Sequence, residues 1–300
     1  MPKIKNRQHL SIIVLISIIV LIFLTYGISY ADVSVIDDEN NTITLKKPAK
    51  RIVSLSPGIT ELLFSAGAGD SIKGVVSYSD YPEAAKSIPQ IGSYNAIDME
   101  QIVSLKPDLI VAWQSGNPPL QISKLKKLGL NVFINEPRNF SDIASTIRRL
   151  GILTGTEKTA ETNASIFEKR LKSLQYQYSG KFKQKTVFIQ IWNKPVMSIN
   201  GQHLISKIIK VCNGQNIFED YSQLTLTPNA ETVLTKNPDV IIVSRQGDLG
   251  KSWLKRWGKW PFLSAVKNKQ LFMVNPDNLV RHTSRVITGI EQVCGLLNNK

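Results

Sequence analysis

Three hundred residues with 42% apolar and 20% charged side chains describe a globular chain long enough for two domains of ordinary size, and exclude a disordered one. A formal charge of +14 admits nucleic acid, an anionic membrane or an anionic ligand as partner. The cations are spread along expected helix faces (Lys124, Lys126, Lys127, Lys169, Lys172) with no nucleic-acid motif beside them, so a solvated basic surface is expected and a nucleic-acid partner is not.

The first 31 residues differ from the rest. Lys3, Lys5 and Arg7 precede an apolar run from about Leu10 to Leu24, and Ser29-Tyr30-Ala31 follows it. A basic start, an apolar core and a small-x-small exit read as a secretory signal peptide cleaved after Ala31, which implies export. Taking those three cations from +14 leaves +11. The rival reading, an uncleaved anchor, needs an apolar run of roughly 20 residues. There is no cysteine near the exit, which leaves a lipid anchor unsupported.

Beyond the signal, strands and helices alternate. IVSL (52–55) is an apolar strand. Ser56-Pro57 then opens a helix that Gly67 ends, with a Ser cap and Pro at the first helical position. IKGVV is a strand, and DMEQIVSL a short helix stopped at Lys106-Pro107. DLIVAW is a buried-type strand, PPLQISKLKKLG a helix, LNVFIN a strand and SDIASTIRRLGILTG a helix. This order implies a parallel sheet. Residues 156–180 hold no proline, and no glycine before Gly180; Ile166, Phe167, Leu171 and Leu174 recur at helical spacing. A helix there would be about 33 Å long. The alternation then resumes through KTVFIQIW, HLISKIIKVC, PNAETVLTK, DVIIVS, a Trp-rich helix, QLFMV and a last helix through Cys294. The expected organisation is a signal at 1–31, an N-terminal α/β lobe at 32–155, a linking helix at 156–180 and a C-terminal α/β lobe at 181–300.

The halves also echo one another. DMEQIVSLKPDLIVA (98–112) and NAETVLTKNPDVIIV (229–243) align at an offset of 131 residues, which pairs Glu100 with Glu231 and Pro107 with Pro238. Two similar α/β lobes around one helix would face each other across a cleft, with ligands at the carboxyl ends of the strands. Several residues fall there: Tyr78, Ser79, Asp80 and Tyr81 in SYSDYP; Trp113, followed by a flexible loop Gln114-Ser115-Gly116-Asn117; and Asp277 and Arg281 after QLFMV. Tyr78, Tyr94, Trp113 and Trp192 would supply flat walls for a large, partly apolar ligand. Each alone also fits ordinary core or turn chemistry. No nucleophile elbow, zinc-helix or phosphate-loop motif is present, so no catalytic site and no enzyme is expected. Asp277, His282 and Ser284 are the nearest to a hydrolytic set, and His282 with Tyr78 the nearest to a metal-ligand pair. In an exported chain the even pair Cys212 and Cys294 suggests one disulfide, with two buried thiols as the alternative.

At this point the order LSPGITELLFSAG, VVSYSDYPEAAK, IGSYNAIDMEQIVSLKPDLIVAWQSGN, VCNGQNIF, PDNLVRHTSR and EQVCGLL resembles the periplasmic cobalamin-binding proteins, from about Arg51 to Leu297. These belong to the helical-linker (class III) substrate-binding family, which also takes haem and ferric siderophores. The resemblance implies two Rossmann-like lobes bridged by a rigid helix and a monomeric receptor. The receptor would capture cobalamin as transported ligand, with no catalytic cofactor, and deliver it to the permease dimer of an ABC importer. Pro57 and Gly58 match the cleft floor, Tyr78 a contacting tyrosine, Tyr94 and Trp113 cleft aromatics, and Asp277, Asn278, Leu279, Val280 and Arg281 a contacting loop. Cys212 and Cys294 match the family's disulfide, and Glu100 and Glu231 the acids that dock on permease arginines. Tyr94 stands where those receptors have a tryptophan, and Thr225 near where they have another. Haem or a ferric siderophore is therefore the alternative ligand, and a secreted hydrolase the alternative class. No histidine is assigned to a cleft wall, so no protein ligand to cobalt is expected.

Overall fold

The computed structural model describes residues 32–178, 180 and 183–298, so the expected signal peptide lies outside the described residues. Two four-stranded parallel sheets frame the structure. In the first the spatial order is Ile72–Val75, Ile52–Ser54, Leu109–Trp113, Val132–Asn135. In the second it is Gly214–Asn216, Lys185–Gln190, Val240–Val243, Leu271–Met273. Each sheet runs second-first-third-fourth in chain order, so the two lobes share one topology. The central strands are continuously apolar and buried because helices cover both faces. The α/β, two-lobed reading of the sequence therefore holds.

Local chemistry sets the boundaries. The Ser56 hydroxyl accepts from the Ile59 amide at 3.1 Å and Pro57 begins the helix Pro57–Ser65. Asp98 and Asn229 cap the helices Met99–Ser104 and Ala230–Lys236 in the same way, and the 131-residue echo superimposes the two starts. Sheet additions escape the sequence reading: a hairpin of Val33–Ile36 with Thr42–Leu45, and an antiparallel ribbon of Trp192–Asn193, Val196–Ile199 and Thr225–Leu226. Both are built of strands of only two to four residues.

The helix Glu157–Tyr178 joins the lobes in a single run of 22 residues. Its inward stripe is Ala160, Ala164, Phe167, Leu171, Leu174 and Tyr178, spaced alternately by four and three residues. Ile166, expected on that stripe, is 59% exposed. The small residues Ala160 and Ala164 take the inner positions because the helix Phe140–Thr154 passes so close; a Cβ on Gly151 would fall 2.3 Å from that of Ala160. Arg148 stitches the two helices by bonding Glu161 and Glu168, each at 2.7 Å. The bond to Arg148 lowers the Glu161 carboxyl to about 2. One apolar cluster runs from Ile52 and Leu109 through this stripe to Val187 and Ile242, so the linking helix is part of a core shared by both lobes.

Cys212 and Cys294 form a disulfide that ties the end of the helix Leu204–Val211 to the helix Val286–Asn298 across 82 residues. In the chain-entropy picture such a loop contributes about 4 kcal/mol. Replacing both cysteines by serine is expected to lower the unfolding free energy by about 2–4 kcal/mol, read from the urea midpoint at constant m-value.

Candidate functional site: a cleft between the lobes

In the first sheet the strands Ile52–Ser54 and Leu109–Trp113 are neighbours whose onward connections run to opposite sides, which makes their carboxyl ends a topological switch point. A cavity of about 270 Å³ opens there. Its floor is the start of the helix Pro57–Ser65, with Ser56, Pro57 and Gly58 in front and Ile59 and Leu62 behind. Its walls are Trp113, which ends its strand, Tyr94 on the hairpin after Gly92, and Tyr78 on the loop after Ile72–Val75. Asn135 and Pro137 close one side, and Val280, Arg281 and His282 reach in from the other lobe.

The wall aromatics are held from behind. The Tyr94 and Trp113 rings stand 5.9 Å apart at 49°. Trp113 packs over its own loop at Gly116, where a Cβ would lie 1.8 Å from the ring. The stretch after Trp113, expected to be flexible, is pinned by Asn117, which is 3% exposed. Its carboxamide accepts from the Trp113 amide at 2.6 Å and donates to the Leu55 and Tyr94 carbonyls at 2.9 and 2.8 Å. One side chain thus fixes three parts of the cavity rim. Buried Asn needs several local partners, and strand ends expose unpaired backbone groups, so the fit follows from elementary accounting.

A charged cluster joins the lobes beside the cavity. Glu61, on the floor helix, has a side chain 1% exposed. It accepts from Arg281 at 2.9 Å, from Arg285 at 3.1 Å and from the Thr283 hydroxyl at 2.7 Å, all from the second lobe. Arg281 also bonds Asp80 at 2.9 Å, the Tyr78 carbonyl at 3.2 Å and Asp277 at 3.1 Å. Burial works against the Arg281 charge, but bonds to Asp80 and Glu61 outweigh it and hold its pKa above the usual value. Arg285 lies over the Tyr81 ring at 4.5 Å. The SYSDYP loop thus lines one lip of the cavity with Tyr78 and holds the opposite lobe through Asp80 and Tyr81.

The loop residues divide by environment. Val280 and Arg281 line the cavity and Asp277 pairs with Arg281. Asn278 is buried and donates to Gln292 at 3.2 Å, while Leu279 is fully buried in the core. Trp192 lies outside the cavity lining and is 55% exposed, because it belongs to the antiparallel ribbon. His282, which the sequence assigns to no wall, lines the cavity, its Nδ1–H donating to the Pro137 carbonyl at 2.9 Å. Burial lowers the His282 pKa; the same cause, reinforced by His282, lowers the pKa of His203, whose ring stands 5.5 Å away, to about 3. Both rings are neutral at ordinary pH. Asp277, His282 and Ser284 form no relay, since their bonds run to Arg281, Pro137 and Ser65 respectively. Sequence reasoning missed Glu61, Asn117 and Asn135 as site residues.

Two lobes of one topology, bridged by a single helix around an aromatic-walled cleft, define a helical-linker substrate-binding protein. Residues 52–277 match the family described as periplasmic binding protein, and the chain belongs to that family. It is 35% identical over 258 residues to the vitamin B12-binding protein of Vibrio cholerae serotype O1, covering 83% of this chain and 90% of the relative. To the vitamin B12-binding protein of Yersinia pestis (strain Pestoides F) it is 33% identical over 250 residues, covering 82% and 85%. The solved periplasmic vitamin B12 binding protein BtuF of Vibrio cholerae matches with a TM-score of 0.77 at 35% identity, over 83% of this chain and 97% of that one. The periplasmic heme binding protein HutB of Vibrio cholerae shares the fold, with a TM-score of 0.72 at 19% identity over 83% and 99%. Among the described residues no helix is long and apolar enough to cross a membrane.

Proposed function

We propose that this chain is an exported receptor that captures cobalamin or a related corrinoid between its lobes and passes it, as a monomer, to the permease of an ABC importer. The observation that carries this is the cavity of about 270 Å³ at the switch point, walled by Tyr78, Tyr94 and Trp113. Its mouth opens to solvent, so a ligand larger than the cavity seats one face inside and projects the rest. The kinship to vitamin B12-binding proteins supports the choice of ligand. In this reading residues 1–31 are the export signal, 32–155 and 181–300 the two lobes, and 156–180 the link between them. Pro57, Gly58, Tyr78, Tyr94, Trp113, Val280 and Arg281 meet the ligand directly. Asp277, Asn278 and Leu279 shape the loop that presents the last two. Glu100 and Glu231 face the permease.

Calorimetric titration of the purified protein with cyanocobalamin tests the reading, with haemin in parallel. One-to-one binding of cyanocobalamin is expected, weakened about 30-fold by Trp113→Ala, because a buried aromatic anchor contributes roughly 2 kcal/mol. Absence of cyanocobalamin binding would overturn the corrinoid assignment. The second reading, haem, draws on His282, a neutral imidazole on the cavity wall. It predicts haemin binding with an iron-linked absorbance band that His282→Ala removes.

A further inference from the structure

A second cavity, of about 430 Å³, lies where the helix Pro57–Ser65 ends, the linking helix passes and the helix Val286–Asn298 begins. It shares no lining residue with the cleft. No carboxylate lines it, but two arginines do, Arg170 and Arg285. Neither guanidinium is used up. Arg170 gives Nε and Nη2 to Glu291, which leaves Nη1. Arg285 gives Nη1 to Glu61, which leaves Nε and Nη2. Those remaining donors make no hydrogen bond among the described residues. Both side chains keep accessible surface, 57% for Arg170 and 18% for Arg285. The Ser284 and Thr288 hydroxyls stand beside them on the same wall.

The other wall is apolar and uncovered. Tyr81 and Ile166 both line the cavity, yet they are 49% and 59% exposed. Ile166 and Arg170 are four residues apart on the linking helix, so an apolar grip and a cation share one helix face, one turn from each other. An inorganic oxyanion would satisfy the guanidinium donors and leave the apolar wall wet. A neutral amphiphile would cover the apolar wall and shut unpaired donors away from water. A molecule with an anionic head and an apolar chain does neither.

We propose that this cavity binds a single-chain amphiphile with an anionic head, its carboxylate or phosphate bridging Arg170 and Arg285 and its chain lying along Ile166 and Tyr81. Tyr81 belongs to the first lobe, Ile166 and Arg170 to the link, and Arg285 to the second lobe, so the ligand touches all three parts of the molecule at once. The site stands apart from whatever fills the cleft.

The test is calorimetry of the purified protein with octanoate at constant ionic strength. Acetate and octan-1-ol serve as head-only and chain-only controls, and octyl phosphate distinguishes the two heads. Octanoate or octyl phosphate is expected to bind one-to-one with a Kd below about 1 mM, at least about tenfold tighter than either control. Arg170→Gln is expected to weaken that binding about tenfold, the worth of one bond to a charged group. Ile166→Gln is expected to weaken it about fivefold through lost apolar contact. Both side chains are exposed and the Arg170 pair with Glu291 is a surface pair, so neither urea midpoint is expected to move. Whichever head binds more tightly is the one the site takes, and either supports the proposal. Three results overturn it: no binding of octanoate or octyl phosphate; octan-1-ol binding as tightly as they do, which leaves the arginines no part; or both variants binding like wild type, which puts the amphiphile elsewhere on the protein.

Discussion

Glu61→Ala is expected to lower the unfolding free energy by about 3–5 kcal/mol, the cost of removing one member of a buried ion cluster. The Glu61 side chain is 1% exposed and those of Arg281 and Arg285 only 11% and 18%, so water cannot replace the lost carboxylate. Arg281 retains Asp80 and Asp277, which limits its share of the loss. Arg285 retains only the face of Tyr81 among the described residues, and Thr283 loses its acceptor. Most of the penalty therefore falls on Arg285. Glu61→Gln, which keeps the shape but not the charge, should lose less, because an amide oxygen still accepts one bond. Urea denaturation of the three proteins checks this. A loss below about 1 kcal/mol for Glu61→Ala would mean that the cluster is solvated and does not join the lobes.

What the sequence displays and what it hides follow from range. The lobes are legible because parallel strands buried on both faces are continuous apolar runs, and because Ser56, Asp98 and Asn229 cap helices within three residues of themselves. The equivalence of Glu100 and Glu231 is legible because a 131-residue repeat needs no contact map. Trp113, Tyr94 and Tyr78 are aromatics at strand ends, and the structure gathers them as the spacing suggests. Glu61 is hidden because its partners lie 220 to 224 residues away, and in ITELLFSA it reads as the polar face of a short helix. Asn135 reads as an ordinary strand end; only a cavity shows that its oxygen lacks a partner. Ile166 misleads because helical periodicity fixes the stripe only to within one residue, and the closeness of Gly151 to Ala160 selects the small-residue face. Trp192 misleads because the strand it follows hands on to an antiparallel ribbon that turns the ring out.

Reversing charge at both repeat positions, Glu100→Lys with Glu231→Lys, is expected to reduce cobalamin uptake by whole cells to below about a tenth while changing ligand affinity by less than about twofold. Each glutamate lies in the first turn of an equivalent helix, one per lobe, and each is exposed. Neither lines the cavity, which separates docking from binding in a single pair of assays. The local alternative is helix-dipole support, worth about 0.3–1 kcal/mol at each site. That would show as a small loss of stability with uptake unchanged. Two acids placed alike on two lobes are what a permease with two-fold symmetry would read, each half meeting one lobe. Reversal at one site alone should then leave an intermediate rate, because one contact persists and the link between lobes is stiff enough to keep the other in register. The stiffness comes from the shared core: the stripe from Ala160 to Tyr178 packs with both lobes at once, so a displacement at Glu100 cannot be absorbed by bending at a hinge. Uptake that survives the double reversal at wild-type rate would sever the repeat from docking and return both glutamates to the role of helix-dipole support.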